Sequence, residues 1–157
     1  MQISQLKNER TVVITRIFGA PRSRVFAAWT KAEHLVRWWG PKGFTAHSCV
    51  SDPRPGGVFQ VCMRSPKGQD YWVRGMYREV VAPERLVITC SAYDEKDIAR
   101  LEEVINVTFA EHGGKTEVTL NTTAGGPSAE AAAMLGGMQK GWAQSVERLD
   151  LHLAPKS

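Results

Sequence analysis

The sequence predicts an α+β domain in which a curved antiparallel sheet of about seven strands wraps around one long C-terminal helix, with two short helices after the first strand. Three observations carry this expectation. From Phe44 to about Thr123 extended runs alternate with turn chemistry, and no helical pattern interrupts them. One strand-like segment and two short helical segments precede that stretch, and a long amphipathic run follows it. With no helix between them, strands joined by short turns pair antiparallel, so the sheet is a meander and not a parallel nucleotide-binding sheet.

Each element has its own signal. Thr11 to Phe18 is rich in β-branched residues and stops at Gly19, which makes it the first strand. Pro21 suits the first turn of a helix, where its missing N–H costs nothing, and Val25, Phe26 and Trp29 form the apolar stripe. Thr30-Lys-Ala-Glu33 has the form of a capping box and predicts a second short helix carrying Leu35, Trp38 and Trp39. Gly40-Pro41 ends it. Turn signals at Pro53-Arg-Pro-Gly-Gly57, Pro66-Lys-Gly68, Ala82-Pro-Glu84, Asp94-Glu-Lys-Asp97 and His112-Gly-Gly114 then divide six strands.

After Gly125-Gly126, Pro127 opens the final helix with Glu130 in its first turn. Leu135, Met138, Trp142, Val146, Leu149 and Leu153 recur there at three- and four-residue steps. A helix of about 26 residues is roughly 39 Å long, enough to cross the sheet. One row of helical side chains does not fill a strongly curved open sheet, so a cavity is the natural consequence.

The length of 157 residues fits one domain, residues 1–157 with a core over about 10–154, and only the first and last few residues read as loose ends. Apolar residues at 43% and charged residues at 23% exclude a disordered or collagen-like chain. The N-terminus lacks an apolar signal region and no stretch approaches a membrane span, so a cytoplasmic protein without a membrane partner is expected. The net charge of +4 comes from scattered basic residues with no dense cluster, which argues against nucleic acid. Cys49, Cys62 and Cys90 are odd in number, far apart and in strand-like runs, so they read as reduced core thiols.

Candidate cavity residues come from four places. The Trp38-Trp39 pair ends the second helix, where neighbours cannot both face the core, so Trp39 is a candidate for the cavity mouth; packing alone also explains an indole there. On the strand from Tyr71 to Glu79, alternation puts Tyr71, Val73, Gly75 and Tyr77 on one face and Trp72, Arg74, Met76 and Arg78 on the other. The first set is assigned to the concave face, where the Tyr71 and Tyr77 hydroxyls could orient a polar group or simply bond to the protein. Phe59 alternates into the core beside them. Met134, Met138 and Trp142 share a helix face with Gly137 and Gly141, and those glycines serve either a pocket or close contact with the sheet.

His47-Ser-Cys49 puts an imidazole and a thiol on one strand face, with no third ligand or orienting acid to make a metal site or nucleophile. Glu33 is explained by capping, and Glu79 and Glu84 by a turn. No GxSxG, HExxH, P-loop or dinucleotide fingerprint occurs, so no catalytic residue, metal or cofactor is assigned.

Four ordered motifs narrow the family: Trp29-Thr-Lys-Ala-Glu-His-Leu-Val-Arg-Trp-Trp-Gly-Pro-Lys-Gly-Phe44, Asp52-Pro-Arg-Pro-Gly-Gly-Val-Phe59, Gly75-Met-Tyr-Arg-Glu-Val-Val-Ala-Pro-Glu-Arg-Leu-Val87 and Gly141-Trp-Ala-Gln-Ser-Val-Glu-Arg-Leu149. Over nearly its whole length the chain resembles the family homologous to the C-terminal domain of the activator of heat-shock-protein-ninety ATPase, within the START-like superfamily. That resemblance implies a helix-grip fold with a ligand-accepting cavity. The eukaryotic co-chaperone has a separate N-terminal chaperone-binding domain for which this chain has no room, so a chaperone is a secondary expectation.

The leading expectation is a non-enzymatic module that holds a small, mostly apolar ligand through Trp39, Phe59, Tyr71, Tyr77, Met138 and Trp142. The alternatives are a cyclase- or hydrolase-like enzyme using the same cavity, favoured by a deep carboxylate or histidine of shifted pKa, and a protein-interaction module. In the last, the convex face around Trp72, Met76 and Arg78 would dock a partner or a second copy as a homodimer.

Overall fold

A computed structural model describes residues 9–154. The expectation of loose ends falls on residues 1–8 and 155–157, outside the described residues. β1 (Arg10–Phe18) buries Val12 and Phe18. Its opposite face pairs threonines across strands, the Thr11 hydroxyl lying 2.9 Å from that of Thr123 and Thr15 3.4 Å from Thr119. Then come α1 (Arg22–Thr30), α2 (Ala32–Trp38), β2 (Thr45–Ser51), β3 (Val58–Arg64), β4 (Asp70–Val81), β5 (Arg85–Tyr93), β6 (Ala99–His112) and β7 (Lys115–Gly125). The seven strands form one antiparallel sheet in the order β1-β7-β6-β5-β4-β3-β2. β2 to β7 are the predicted meander, and β1 closes on β7, so α1 and α2 carry the chain from one sheet edge to the other.

The junction of α1 and α2 differs from expectation. Thr30 is the last residue of α1, not a cap: its buried hydroxyl donates to the Phe26 carbonyl at 3.0 Å. α2 starts from Lys31 with no side-chain cap, because one extended residue is the whole link between the helices. Both tryptophans of the pair are buried. Trp38 is the last helical residue and donates its indole N–H to the Ala28 carbonyl at 2.9 Å, while Trp39 has already turned to extended backbone (φ −66°, ψ 128°). The helix ends between them, so the one-hundred-degree step of a helix no longer separates their side chains.

The C-terminal helix is also divided. α3 (Ala129–Gly136) begins at Ser128, whose hydroxyl accepts from the Ala131 N–H at 3.2 Å, and α4 (Met138–Leu153) restarts after Gly137. The Gly137 N–H reaches the Met134 carbonyl, a tightened last turn that the Gly136-Gly137 pair permits at little cost. α4 packs against β1 and α2, α3 against β6 and β7, α1 against β6 and β7, and α2 against β2. Arg16 of β1 secures α4 through Glu147 and Asp150, both at 2.7 Å, and His34 Nδ1 lies 2.9 Å from His152 Nε2.

Candidate functional site

Along β6 the inward positions are Leu101, Glu103, Ile105, Val107 and Phe109, and on β4 they are Tyr71, Val73, Gly75 and Tyr77, since the bulge in β4 falls only after Tyr77. At one end of this inner face the side chains leave a cavity of about 370 Å³. Val73, Ala92, Leu101, Glu103 and Ala124 form its floor. Met134 and Gly137, then Met138, Gly141, Trp142 and Ser145 of α4, form its roof. The loop after α2 supplies the rim, with Trp39, Gly40, Pro41 and Phe44. Arg148 of α4 holds that rim by donating from Nη1 to the Gly40 carbonyl at 2.9 Å, and Gln144 accepts from the Lys42 N–H at 3.0 Å.

Of the six residues singled out from the sequence, Trp39, Tyr71, Met138 and Trp142 line this cavity together. Trp39 packs edge-on against Trp142, with ring centroids 5.3 Å apart and planes at 80°. The Tyr71 hydroxyl donates to Gln69 Oε1 at 3.2 Å. Phe59 and Tyr77 are not on the cavity wall; both are fully buried deeper in the core, edge to face at 5.7 Å. The Tyr77 hydroxyl is committed to the protein, lying 2.6 Å from Ser51 Oγ, which itself donates to the Thr30 carbonyl. Burial pushes the Tyr77 phenol up to about 12. Position along β4, set by which helix lies overhead, decides the matter, and alternation gives only the face.

The glycines on the roof do not serve close packing. A Cβ at Gly141 would have no atom within 4 Å, so the missing side chain leaves open space. Gly75 is the opposite case, since a Cβ there would meet the Thr89 carbonyl oxygen at 2.0 Å and Cys90 Cα at 2.5 Å.

Sequence reading missed Glu103. Its Oε2 accepts from Thr122 Oγ1 at 2.5 Å and from the Trp142 indole N–H at 3.1 Å. Burial is the largest influence on it and raises its carboxyl above the usual range, against the two hydrogen bonds, which lower it. A signal was present: Glu103 occupies an apolar-face position between Leu101 and Ile105 in strict alternation.

His47 and Cys49 do not share a face. A bulge between Ala46 and Ser48 lets both Ala46 and Cys49 pack on the core and turns His47 away. On the outer side His47, Cys62 and Asp70 bring three potential ligand atoms within 4.8 Å of one another. Arg64 already engages both Asp70 oxygens, at 2.9 and 3.3 Å, so the group reads as an ion-pair cluster. The convex face does not expose an aromatic patch at Trp72, because the Arg74 guanidinium covers that ring and the Tyr93 ring, 4.5 Å from each centroid.

A curved antiparallel sheet gripping C-terminal helices over an open cavity defines a helix-grip protein, and solved structures share that fold. The chain belongs to the family of Activator of Hsp90 ATPase homolog 1-like proteins, whose family model matches residues 19–154. It is similar to the solved structure of protein Ms6760 of Mycobacterium smegmatis, at 25% identity over 99% of this chain and 95% of that one, with a TM-score of 0.76. An Arthrobacter aurescens protein (23% identity, 98% and 88% covered, TM-score 0.78) and the AHSA1 protein of Silicibacter pomeroyi (23%, 92% and 97%, 0.76) share the fold. Comparison with curated proteins finds no match. No helix among the described residues is long and apolar enough to cross a membrane.

Proposed function

We propose that this chain binds a small, mostly apolar molecule in the cavity between its sheet and its C-terminal helices. One observation carries the reading: a largely apolar cavity of about 370 Å³ lies beneath α3 and α4, within the range of small-molecule sites. Trp39, Tyr71, Met138 and Trp142 contribute wall area, and Glu103 is the deep polar group. Native mass spectrometry of the purified protein, before and after denaturing extraction, tests this. A stoichiometric apolar species released on unfolding supports it. An empty protein whose Tm no apolar library compound raises sinks it.

A second reading, an enzyme that uses the same cavity, has a specific observation behind it. A buried carboxyl that retains its proton above the usual range is suited to general-acid work, and Glu103 is such a group. Among the described residues no histidine lines the cavity to act with it. Chemical change in a co-purified molecule on incubation with wild-type protein, and not with Glu103→Gln, would move the assignment to catalysis.

A further inference from the structure

Glu103 presents its two oxygens unequally. Oε2 takes both donors, from Thr122 and Trp142, while Oε1 has no hydrogen-bond partner among the described residues. Oε1 is nevertheless not sealed in, because the only sealed, unpartnered side-chain polar atom among the described residues is Trp29 Nε1. Glu103 lies deep in the protein yet keeps accessible surface, and the surface it keeps is that of the cavity it lines. In a neutral carboxyl the carbonyl oxygen accepts and the hydroxyl oxygen donates, so two donors on Oε2 leave the proton to Oε1, facing the open space.

Among the described residues no cation pairs with Glu103, and Arg148 of α4 is committed to the rim, on the Gly40 carbonyl. The Cys90 thiol on β5 is its titratable neighbour, and Tyr71 and Tyr93 are the titratable groups elsewhere on the cavity wall. β7 offers Thr122 and Ala124, and α3 and α4 offer Met134, Met138, Trp142 and Ser145, all uncharged. Arg74 lies over the Trp72 and Tyr93 rings and is paired with Asp97 at 2.9 Å. An ionised carboxylate in such a place would be desolvated with two hydrogen bonds but no opposite charge, and burial outweighs those two bonds in favouring the neutral form.

We propose that Glu103 is the anchoring donor of the cavity, holding its proton on Oε1, and that the cavity selects an uncharged, largely apolar molecule bearing one hydrogen-bond acceptor such as a ketone or ester carbonyl. This rests on the cavity-binding reading above. Ionisation of Glu103 at higher pH removes the donor and sets a bare negative charge against the ligand's acceptor, so binding weakens as pH rises.

Three naphthalenes whose substituents differ by at most one heavy atom test it: acetylnaphthalene, ethylnaphthalene and aminomethylnaphthalene, titrated by quenching of tryptophan fluorescence between about pH 5 and pH 9. The ketone is expected to bind roughly three- to tenfold more tightly than the ethyl compound, the worth of one net hydrogen bond. That preference should fade with rising pH. Glu103→Gln, which keeps a donor at the Oε1 position and an acceptor at Oε2, should retain the preference without the pH dependence. Glu103→Met should bind the ethyl compound and lose the preference. Equal affinity for ketone and ethyl compounds at every pH overturns the anchor and leaves the cavity reading standing. Tightest binding of the amine, strengthening with pH, overturns it in favour of an ionised carboxylate. Failure of all three probes to bind removes the cavity reading and the inference with it.

Discussion

Two ends of one sheet face are built on the same alternation and reach opposite results. At the filled end a row runs Tyr77, Ile88, Ile105, Thr122 across β4 to β7, every member fully buried, and the core cluster there also holds Trp29, Trp38 and Leu149. Two rungs along, the row is Gly75, Cys90, Glu103, Ala124, and beyond it Val73, Ala92, Leu101. In the first of these rows glycine, cysteine and alanine stand where Tyr77, Ile88 and Thr122 stood, leaving Glu103 its one long side chain, while the backbone pairing continues unbroken. Overhead, α3 offers Ala131 and the α3–α4 break offers Gly137. The cavity arises by subtraction from a core, and Glu103 is placed where the subtraction leaves room for a carboxyl.

The two ends should differ most in what a deletion at Trp29 costs. Its indole is fully buried, 4.7 Å from the Trp38 ring centroid and stacked on Trp142 at 6.3 Å, and its N–H has no partner among the described residues, so packing is its contribution. Trp29→Ala should cost about 3–5 kcal/mol in urea unfolding, while Met134→Ala over the cavity should cost less than about 1 kcal/mol, because the removed atoms face space already open. Equal costs would mean that the two ends are equally well packed.

Gly75 tests whether the boundary row is thin by backbone or by side chain. With the Thr89 carbonyl at 2.0 Å from any added Cβ, Gly75→Ala has to move β4 away from β5 and should cost about 2–3 kcal/mol, read as a lower denaturation midpoint. A neutral result would show that the strands separate freely there.

The filled end was legible in the sequence and the open end only in part, for physical reasons. Period-two alternation reports which face a strand residue occupies, and Val73, Tyr77 and Phe59 obey it. It does not report which helix lies above, so Phe59 and Tyr77 were expected in the cavity and lie in the core. Glu103 obeyed the alternation too, but a glutamate is ordinarily assigned to solvent. Thr30, His47 and Gly137 failed for local reasons: a hydroxyl satisfied within its own helix, a one-residue bulge, and a glycine pair whose break depends on the contacts of two half-helices.

Glu103 gives a difference in pH dependence. Its folded-state pKa is raised by burial, so between the ordinary carboxylate range and that raised value the folded protein holds a proton the unfolded chain has released. Stability of the wild type therefore falls as pH rises through that window. Glu103→Gln removes the titration, and the Tm difference between the two proteins, followed from about pH 4 to pH 8, should move in favour of the variant as pH rises. A constant difference across that range would mean that the carboxyl titrates alike in both states.

The smallest effect concerns Gly141, the fourth residue of α4, on the cavity roof. Alanine is favoured over glycine in a helix interior by up to about 1 kcal/mol, and an added Cβ meets no atom within 4 Å. Gly141→Ala should therefore raise stability by about 0.5–1 kcal/mol, chiefly by restricting the unfolded chain. The same methyl takes room from the cavity, so ethylnaphthalene should bind a few-fold more weakly to the more stable variant, on the order of 1 kcal/mol or less. If glycine stood there for close packing, both changes would have the same sign, with stability and binding lost together. Opposite signs in one variant separate a residue kept small for space from one kept small for contact.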